Sequence, residues 1–356
     1  MTTPFLFILI YINAGSQVGY MPGTLIYGSD SSLTFLKSGN MQCQEVIFKE
    51  RILDLECGAD LYVLTERSLY KIDPYKKEIK EQTYLPSRSI SMKLLPDVST
   101  HDSLLIILSS EEIYLIETNR LSYLGGIGIP PGDHDIISLP IKNLIYLNSK
   151  GLKSSLIEIY DLKNGQRLRG LKVDLIIDAI IDRVNGYVYL LEASRHIRKL
   201  TLDLKNHKRI FTLPDSPLQF YQCGPNLVLI SSCGAYLIES KSGQLLDSKP
   251  ARINGAVLID QRHILTYTNF DNNNSSCGIS LINLETMSTV RYFLLPGIVE
   301  ECFYFDTASV IIKSDNAFFT LDIVSGTTGE LKCSPTSLNP KTEEEKKALT
   351  SDSFFY

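Results

Sequence analysis

LYVLTERSLYKID, residues 61–73, decides the fold: an apolar strand, a polar two-residue turn, and a second apolar strand that ends in an acid. The same phrase returns as LLIILSSEEIYLIE (104–117), VYLLEASRHIRKLTLD (188–203), LVLISSCGAYLIES (227–240) and VIIKSDNAFFTLD (310–322). Aligned on the closing polar residue, the copies fall at Asp73, Glu117, Asp161, Asp203, Glu239, Asn283 and Asp322, with gaps of 44, 44, 42, 36, 44 and 39 residues. An all-β repeat of roughly 40–50 residues predicts propeller blades of four strands each. Inner strands are expected to begin near Ile52, Ile90, Asp135, Leu175, Leu218, Ala256 and Val299. The prediction is an all-β, eight-bladed β-propeller of antiparallel blades, with seven blades as the alternative.

Strand composition supports this. The second strands are nearly continuous apolar runs, as expected when neighbouring blades cover both faces. Outer strands such as EIKEQTYL (78–85) and RLRGLKV (167–173) are more polar and suit a solvated rim. In blade 5, Asn185-Gly186 is the dipeptide of a tight type I′ hairpin. The closing acids themselves read as turn caps, because Asp and Asn accept from backbone N–H groups two residues on.

The repeat resembles the quinoprotein-like and YVTN-type β-propellers over residues 23–333. That resemblance implies the fold and a tendency towards binding roles. Two departures weigh against a quinone enzyme: the chain has no tryptophan, and its seven cysteines include no vicinal pair. No CxxC or His spacing suggests structural zinc either.

Phe5–Ile12 (FLFILIYI), followed by Asn13-Ala14-Gly15-Ser16, has the form of a signal-peptide core and cleavage site. It is too short to span a bilayer. Residues 1–16 are therefore expected to be a signal peptide, and the mature chain to be exported to a periplasmic, cell-surface or extracellular location. The alternative is that the run supplies the inner strand of blade 1. The propeller is expected over 17–333 and a polar tail over 334–356, where Thr342–Leu349 has a capping-box start for two turns of helix.

A net charge of −5, with basic residues spread through every blade, excludes nucleic acid as the expected partner. The expected partner is another protein, bound by a monomer with no membrane span after signal removal. Two long connections, Gly125–Asp135 and Asn269–Gly278, are placed on the loop face, where function concentrates. They nominate Asp133, His134, Asp135, Asp271 and Asn272 as ligand-binding residues. Overlapping glycosylation sequons start at Asn273 and Asn274. The inner-strand acids Asp54, Glu56, Asp178, Glu300 and Glu301 border the channel, and a ring of carboxylates would suit Ca²⁺. Their flanking residues show no shared pattern that would set them at one depth, so a scattered arrangement is expected. The leading reading is a non-catalytic scaffold with no cofactor. The alternative is a Ca²⁺-assisted hydrolase, lactonase or lyase with Asp54, Asp178, Glu300 and Glu301 as metal ligands.

Overall fold

The computed structural model describes residues 16–337 apart from short segments at 22–23, 30, 38–41, 97–102, 142–143, 183–184, 271–275, 305–307, 315–316 and 332. Eight antiparallel four-stranded sheets follow one another along the chain. Inner strands start at Ser16, Ile52, Ser89, Asp133, Ile176, Pro217, Gly255 and Glu301. Seven lie within two residues of the expected starts. The eighth, in blade 1, is Ser16–Met21. It lies beyond the apolar run nominated for that place, and Phe5–Ile12 falls outside the described residues.

Eight apolar clusters hold the ring, one between each pair of adjacent blades. Blades 1 and 2 meet through Ile26, Phe35, Ile52 and Val63, and blades 7 and 8 through Leu265, Ile279, Val310 and Ile312. The ring closes where Leu25, Tyr27 and Leu36 of blade 1 pack on Phe303, Ile311 and Phe318 of blade 8. Tyr27 meets both phenylalanine rings edge-on, at centroid distances of 5.6 and 5.2 Å. Each second strand is buried on both sides because it contributes alternate residues to two of these clusters.

In the absence of tryptophan, tyrosine docks blade to blade. The Tyr146 hydroxyl of blade 4 donates to Leu202 O in the last turn of blade 5, and Tyr189 of blade 5 donates to Ser240 O of blade 6. Two lysines of the third strands do the same. Lys71 Nζ donates to the carbonyls of Thr118 and Asn119, and Lys199 Nζ to Ser240 O. The ammonium of Lys199 also lies 3.8 Å from the Tyr187 ring centroid, a favourable cation–π position.

The closing Asp and Asn residues are turn caps, while Glu117 and Glu239 accept from the serine hydroxyls of Ser122 and Ser242. Asp73, Asp161, Asn283 and Asp322 accept from amides two residues on, at 2.8–3.0 Å. Four residues after the acid, the chain enters the left-handed region at Lys77, Gly165, Gly243, Met287 and Gly326. The amide there returns to the acid's own carbonyl, as from Gly165 to Asp161 O. Glycine is the unstrained choice at such a φ, so the acid-x-x-x-Gly spacing of DLKNG and ESKSG is legible in the sequence. In the expected type I′ turn, Gly186 has positive φ and Asn185 does not. Asn185 instead donates its N–H to Asp182 Oδ1, and the turn is correspondingly wider.

The last strand is new. Cys333–Ser337 runs parallel to the outer strand of blade 1, Gln42–Ile47, as a fifth strand on its edge. Strand pairing thus continues past Cys333, where the polar tail was expected to begin. Among the described residues, no helix is long and apolar enough to cross a membrane.

Candidate functional site

The inner-strand acids are clasps between blades. In blade 2 the register shifts between Ile52 and Asp54, leaving Leu53 as a bulge. Asp54 then accepts from Leu55 N at 2.9 Å and from Met92 N, on the next blade's inner strand, at 2.8 Å. Blade 5 repeats the device. Ile177 bulges, and Asp178 accepts from Ala179 N at 2.7 Å and from Phe220 N of blade 6 at 3.4 Å. In blade 6, Gln219 holds the same place after its bulge and accepts from Ala256 N of blade 7. The expected scatter is therefore corrected: Asp54, Asp178 and Gln219 occupy one equivalent position. The signal was the residue pair Leu/Ile-Asp/Gln near the start of the inner strand, and the amide acceptor Gln219 hides it from a search for acids.

Burial governs their charge. It raises Asp178 to about 7 against the opposing pull of two amides. It also raises Asp54 and Glu56, although the Lys93 ammonium opposes both shifts. Lys93 pairs with Glu56 across the blade 2–3 boundary at 2.9 Å. Glu300 pairs with Lys313 at 2.7 Å, and Lys313 Nζ sits 5.4 Å from the Tyr27 ring centroid of blade 1. Glu301 opposes Lys313 in the register of blade 8. Asp54 and Asp178 thus sit in blades 2 and 5, each directed at a backbone amide, while Glu300 is held by a lysine in blade 8. Among the described residues, no three His, Cys, Asp or Glu side chains stand together as a ligand set.

Asp133, His134 and Asp135 belong to an inner strand, Asp133–Ile141, and the connection before it shrinks to residues 129–132. Asp133 is exposed, His134 is buried and Asp135 is paired with Lys150. His134 Nε2 is 2.7 Å from Pro130 O, and Nδ1 is 2.8 Å from Ser149 Oγ. Ser149 donates to Glu158, which also pairs with Arg167 at 2.6 Å. This connectivity is not that of a nucleophilic triad, where histidine stands between hydroxyl and carboxylate. Here serine stands between them, and the ring clasps the Pro130 carbonyl. Asp271 and Asn272 lie outside the described residues.

Four of the described cysteines are buried or half-buried structural thiols. Burial pushes Cys57 up to about 12 and Cys223 and Cys277 up to about 11, away from the thiolate a nucleophile needs. Cys233 is exposed.

The rim carries the feature that sequence reading missed. A bulge in the outer strand, seven residues after the closing acid, places Leu124, Leu168, Leu246 and Val290 in solvent at equivalent positions. Sheet edges are pairing hazards, and natural proteins guard them with charge, proline, short strands or a cover. Blade 1 is covered by Cys333–Ser337, and blade 8 has a four-residue outer strand. Blades 2, 4 and 5 carry EIKEQTY, QRLRGLKVD and HKRIFT, blade 6 has Asp, Lys and Pro, and blade 3 is interrupted by three glycines. Blade 7 carries only Arg291 and, at its last position, Pro296.

The blade 7 outer strand, Ser288–Pro296, is nine residues long with one charge, the exposed Arg291, whose guanidinium donates to Val324 O in a turn of blade 8. Phe293 and Leu295 pack on the blade 7–8 core. On the other side of the strand, Val290, Tyr292 and Leu294 stand 50%, 57% and 65% exposed. Opposite Tyr292 and Leu294 in the register are the small residues Ser280 and Gly278. A Cβ on Gly278 would come within 2.4 Å of the Tyr292 hydroxyl, so the phenol rests over bare backbone.

No protein-family model matches the chain, and no curated protein matches it in sequence. Solved structures match its fold. BamB from Moraxella catarrhalis shares 12% identity at TM-score 0.58, over 87% of this chain and 99% of that one. NirN, a dihydro-heme d1 dehydrogenase in complex with DHE, shares 12% at TM-score 0.63, over 87% and 73%. KlHsv2, with its loop 6CD replaced by a Gly-Ser linker, shares 10% at TM-score 0.56, over 80% and 98%. The β-propeller fold is common to all three, and at this identity only the fold is carried over.

Proposed function

We propose that this propeller is a non-catalytic scaffold that binds a partner protein, and that the partner adds a β-strand to the outer edge of blade 7. The long, apolar and sparsely charged edge of Ser288–Pro296 carries the reading: main-chain groups would give affinity, and Val290, Tyr292 and Leu294 would give specificity. Blade 1 is the internal precedent, since its outer edge takes a strand from the chain's own C-terminal segment. The commitment of Asp54 and Asp178 to inter-blade amides also favours a scaffold over a hydrolase. The loop face offers less, with Leu152 and Ile298 exposed singly.

The test is recovery of binding proteins from source-cell extract by wild type, by a Tyr292→Lys/Leu294→Lys variant, and by a Leu168→Lys control on blade 4. A protein held in equimolar amount by wild type and control should be lost with the blade 7 variant. Its binding should slow hydrogen exchange of amides within 288–296. Equal recovery by all three, or protection confined to the loop face, overturns the edge as the site. The hydrolase reading has its own signature. There, EDTA would lower the melting temperature, because a bound ion stabilises the native state by mass action.

A further inference from the structure

His134 is 2% exposed, and both of its ring nitrogens are engaged. Nε2 lies 2.7 Å from Pro130 O, in the connection 129–132 between blades 3 and 4. Nδ1 lies 2.8 Å from Ser149 Oγ, whose one hydroxyl proton goes to Glu158 Oε2, also at 2.8 Å. A carbonyl and a carboxylate can only accept, and a hydroxyl has a single proton to give. With that proton on Glu158, Ser149 Oγ can only accept from Nδ1, just as Pro130 O can only accept from Nε2. The three contacts are made together only by a ring that carries protons on both nitrogens. The positive charge has its counterpart in Glu158, whose side chain is 2% exposed and also pairs with Arg167.

We propose that His134 is a proton switch: doubly protonated, it fastens the connection 129–132 to blade 4, and loss of one ring proton releases that connection. The proton lost is the one on Nε2. Were Nδ1 to lose its proton, Ser149 would have to turn from Glu158 to the ring, and a buried carboxylate would forfeit a charge-assisted bond. Loss from Nε2 strips only Pro130 O, in a segment exposed from 130 to 132, where water can take the place of the ring. The lone pair left on Nε2 then faces the carbonyl oxygen and drives the two apart. The other charged groups on the surrounding elements have their own places. Asp133 is exposed and Asp135 pairs with Lys150, both on the strand face opposite His134. In blade 3, Glu111 is exposed, Glu112 accepts from Tyr123, and Lys93 pairs with Glu56. Tyr160 donates to Glu158 Oε1 at 3.5 Å. Gly132 is the natural reporter. A Cβ there would stand 3.2 Å from Nε2, so its backbone lies against the ring, and its amide donates to Ser110 O of blade 3 at 3.2 Å.

The experiment uses the full chain with ¹⁵N-labelled histidine, His134 being assigned from its own backbone. NMR reads the ring protons through a pH titration, and hydrogen exchange of the Gly132 amide is followed over the same range, corrected for the intrinsic pH dependence of exchange. At the acid end His134 should carry two N–H groups. On titration it should keep Nδ1–H, and the protection of Gly132 should fall by about tenfold or more in the same step, as expected for loss of a hydrogen bond from a charged donor. In Ser149→Ala, where Nδ1 is no longer tied to Glu158, the titrated ring should keep Nε2–H instead, and Gly132 should cease to follow it. A ring whose proton count never changes while the protein is folded, loss of the Nδ1 proton first, Gly132 protection unmoved across the titration, or Ser149→Ala behaving as wild type would overturn the proposal. The wild-type readings decide it alone if the variant fails to fold.

Discussion

Arg198→Met should destabilise the protein by about 3–5 kcal/mol, more than any exposed substitution on the rim. Arg198, in the third strand of blade 5, donates from Nε to Glu192 Oε1 at 2.6 Å and from Nη2 to Oε2 at 3.3 Å. The Glu192 side chain is 0% exposed, and that of Arg198 12%. Removing the guanidinium leaves a carboxylate with neither partner nor water, and the lost pairing energy is no longer there to offset its desolvation. Glu192→Leu should cost less, because the arginine retains some contact with solvent and can turn further outward. The double variant, Glu192→Leu with Arg198→Met, should return to within about 1 kcal/mol of wild type if the new side chains pack. Urea midpoints of the four proteins measure the cycle. Additive losses would mean that the pair is not the unit that matters.

Why was the ring legible and the site not? The ring follows from period. Alternating apolar strands, turn residues and a closing polar residue about every 40 residues leave few folds open, and the Asp and Asn copies cap their turns for a local reason. The clasp residues depend on a different kind of information. Asp54 looks like a channel carboxylate until the bulge at Leu53 is seen, because a one-residue shift in register turns the following side chain to a new neighbour. The partner amide, on Met92, is 38 residues away and belongs to another blade. The same holds for Lys71 and Lys199, which look like surface charges but end on the next blade's turn. His134 seemed a loop ligand because Gly125-Gly126 and Pro130-Pro131 read as a long connection, whereas the outer strand continues through the glycines to Gly128. The edge of blade 7 was open to inspection. It is conspicuous only by comparison with seven other edges, and that comparison needs the strand boundaries.

Stability should also fall as pH rises through neutrality, and Asp178 should be a principal cause. Its carboxyl stands at about 7 in the folded protein against an ordinary value of 3.8, chiefly because burial disfavours the charged form. Between those two values the native state holds a proton that the unfolded chain has released. Stability contributed by this group is therefore fully present below the unfolded value and is lost as pH climbs through the folded one. The slope has an upper limit of about 1.4 kcal/mol per pH unit, so some 4 kcal/mol is the ceiling over the whole interval. Burial of Asp54 and Glu56 acts in the same direction, so the wild-type curve alone cannot be divided among them. Asp178→Asn isolates the contribution. Asparagine cannot titrate and keeps one acceptor for the Ala179 amide, at the cost of the longer contact to Phe220. Below about pH 5 the variant should be the less stable protein. By pH 8 the gap should have narrowed or reversed, as measured by urea unfolding at each pH. Parallel curves from pH 5 to 8 would show that Asp178 is already charged at the lower end, with the amides outweighing burial at this clasp.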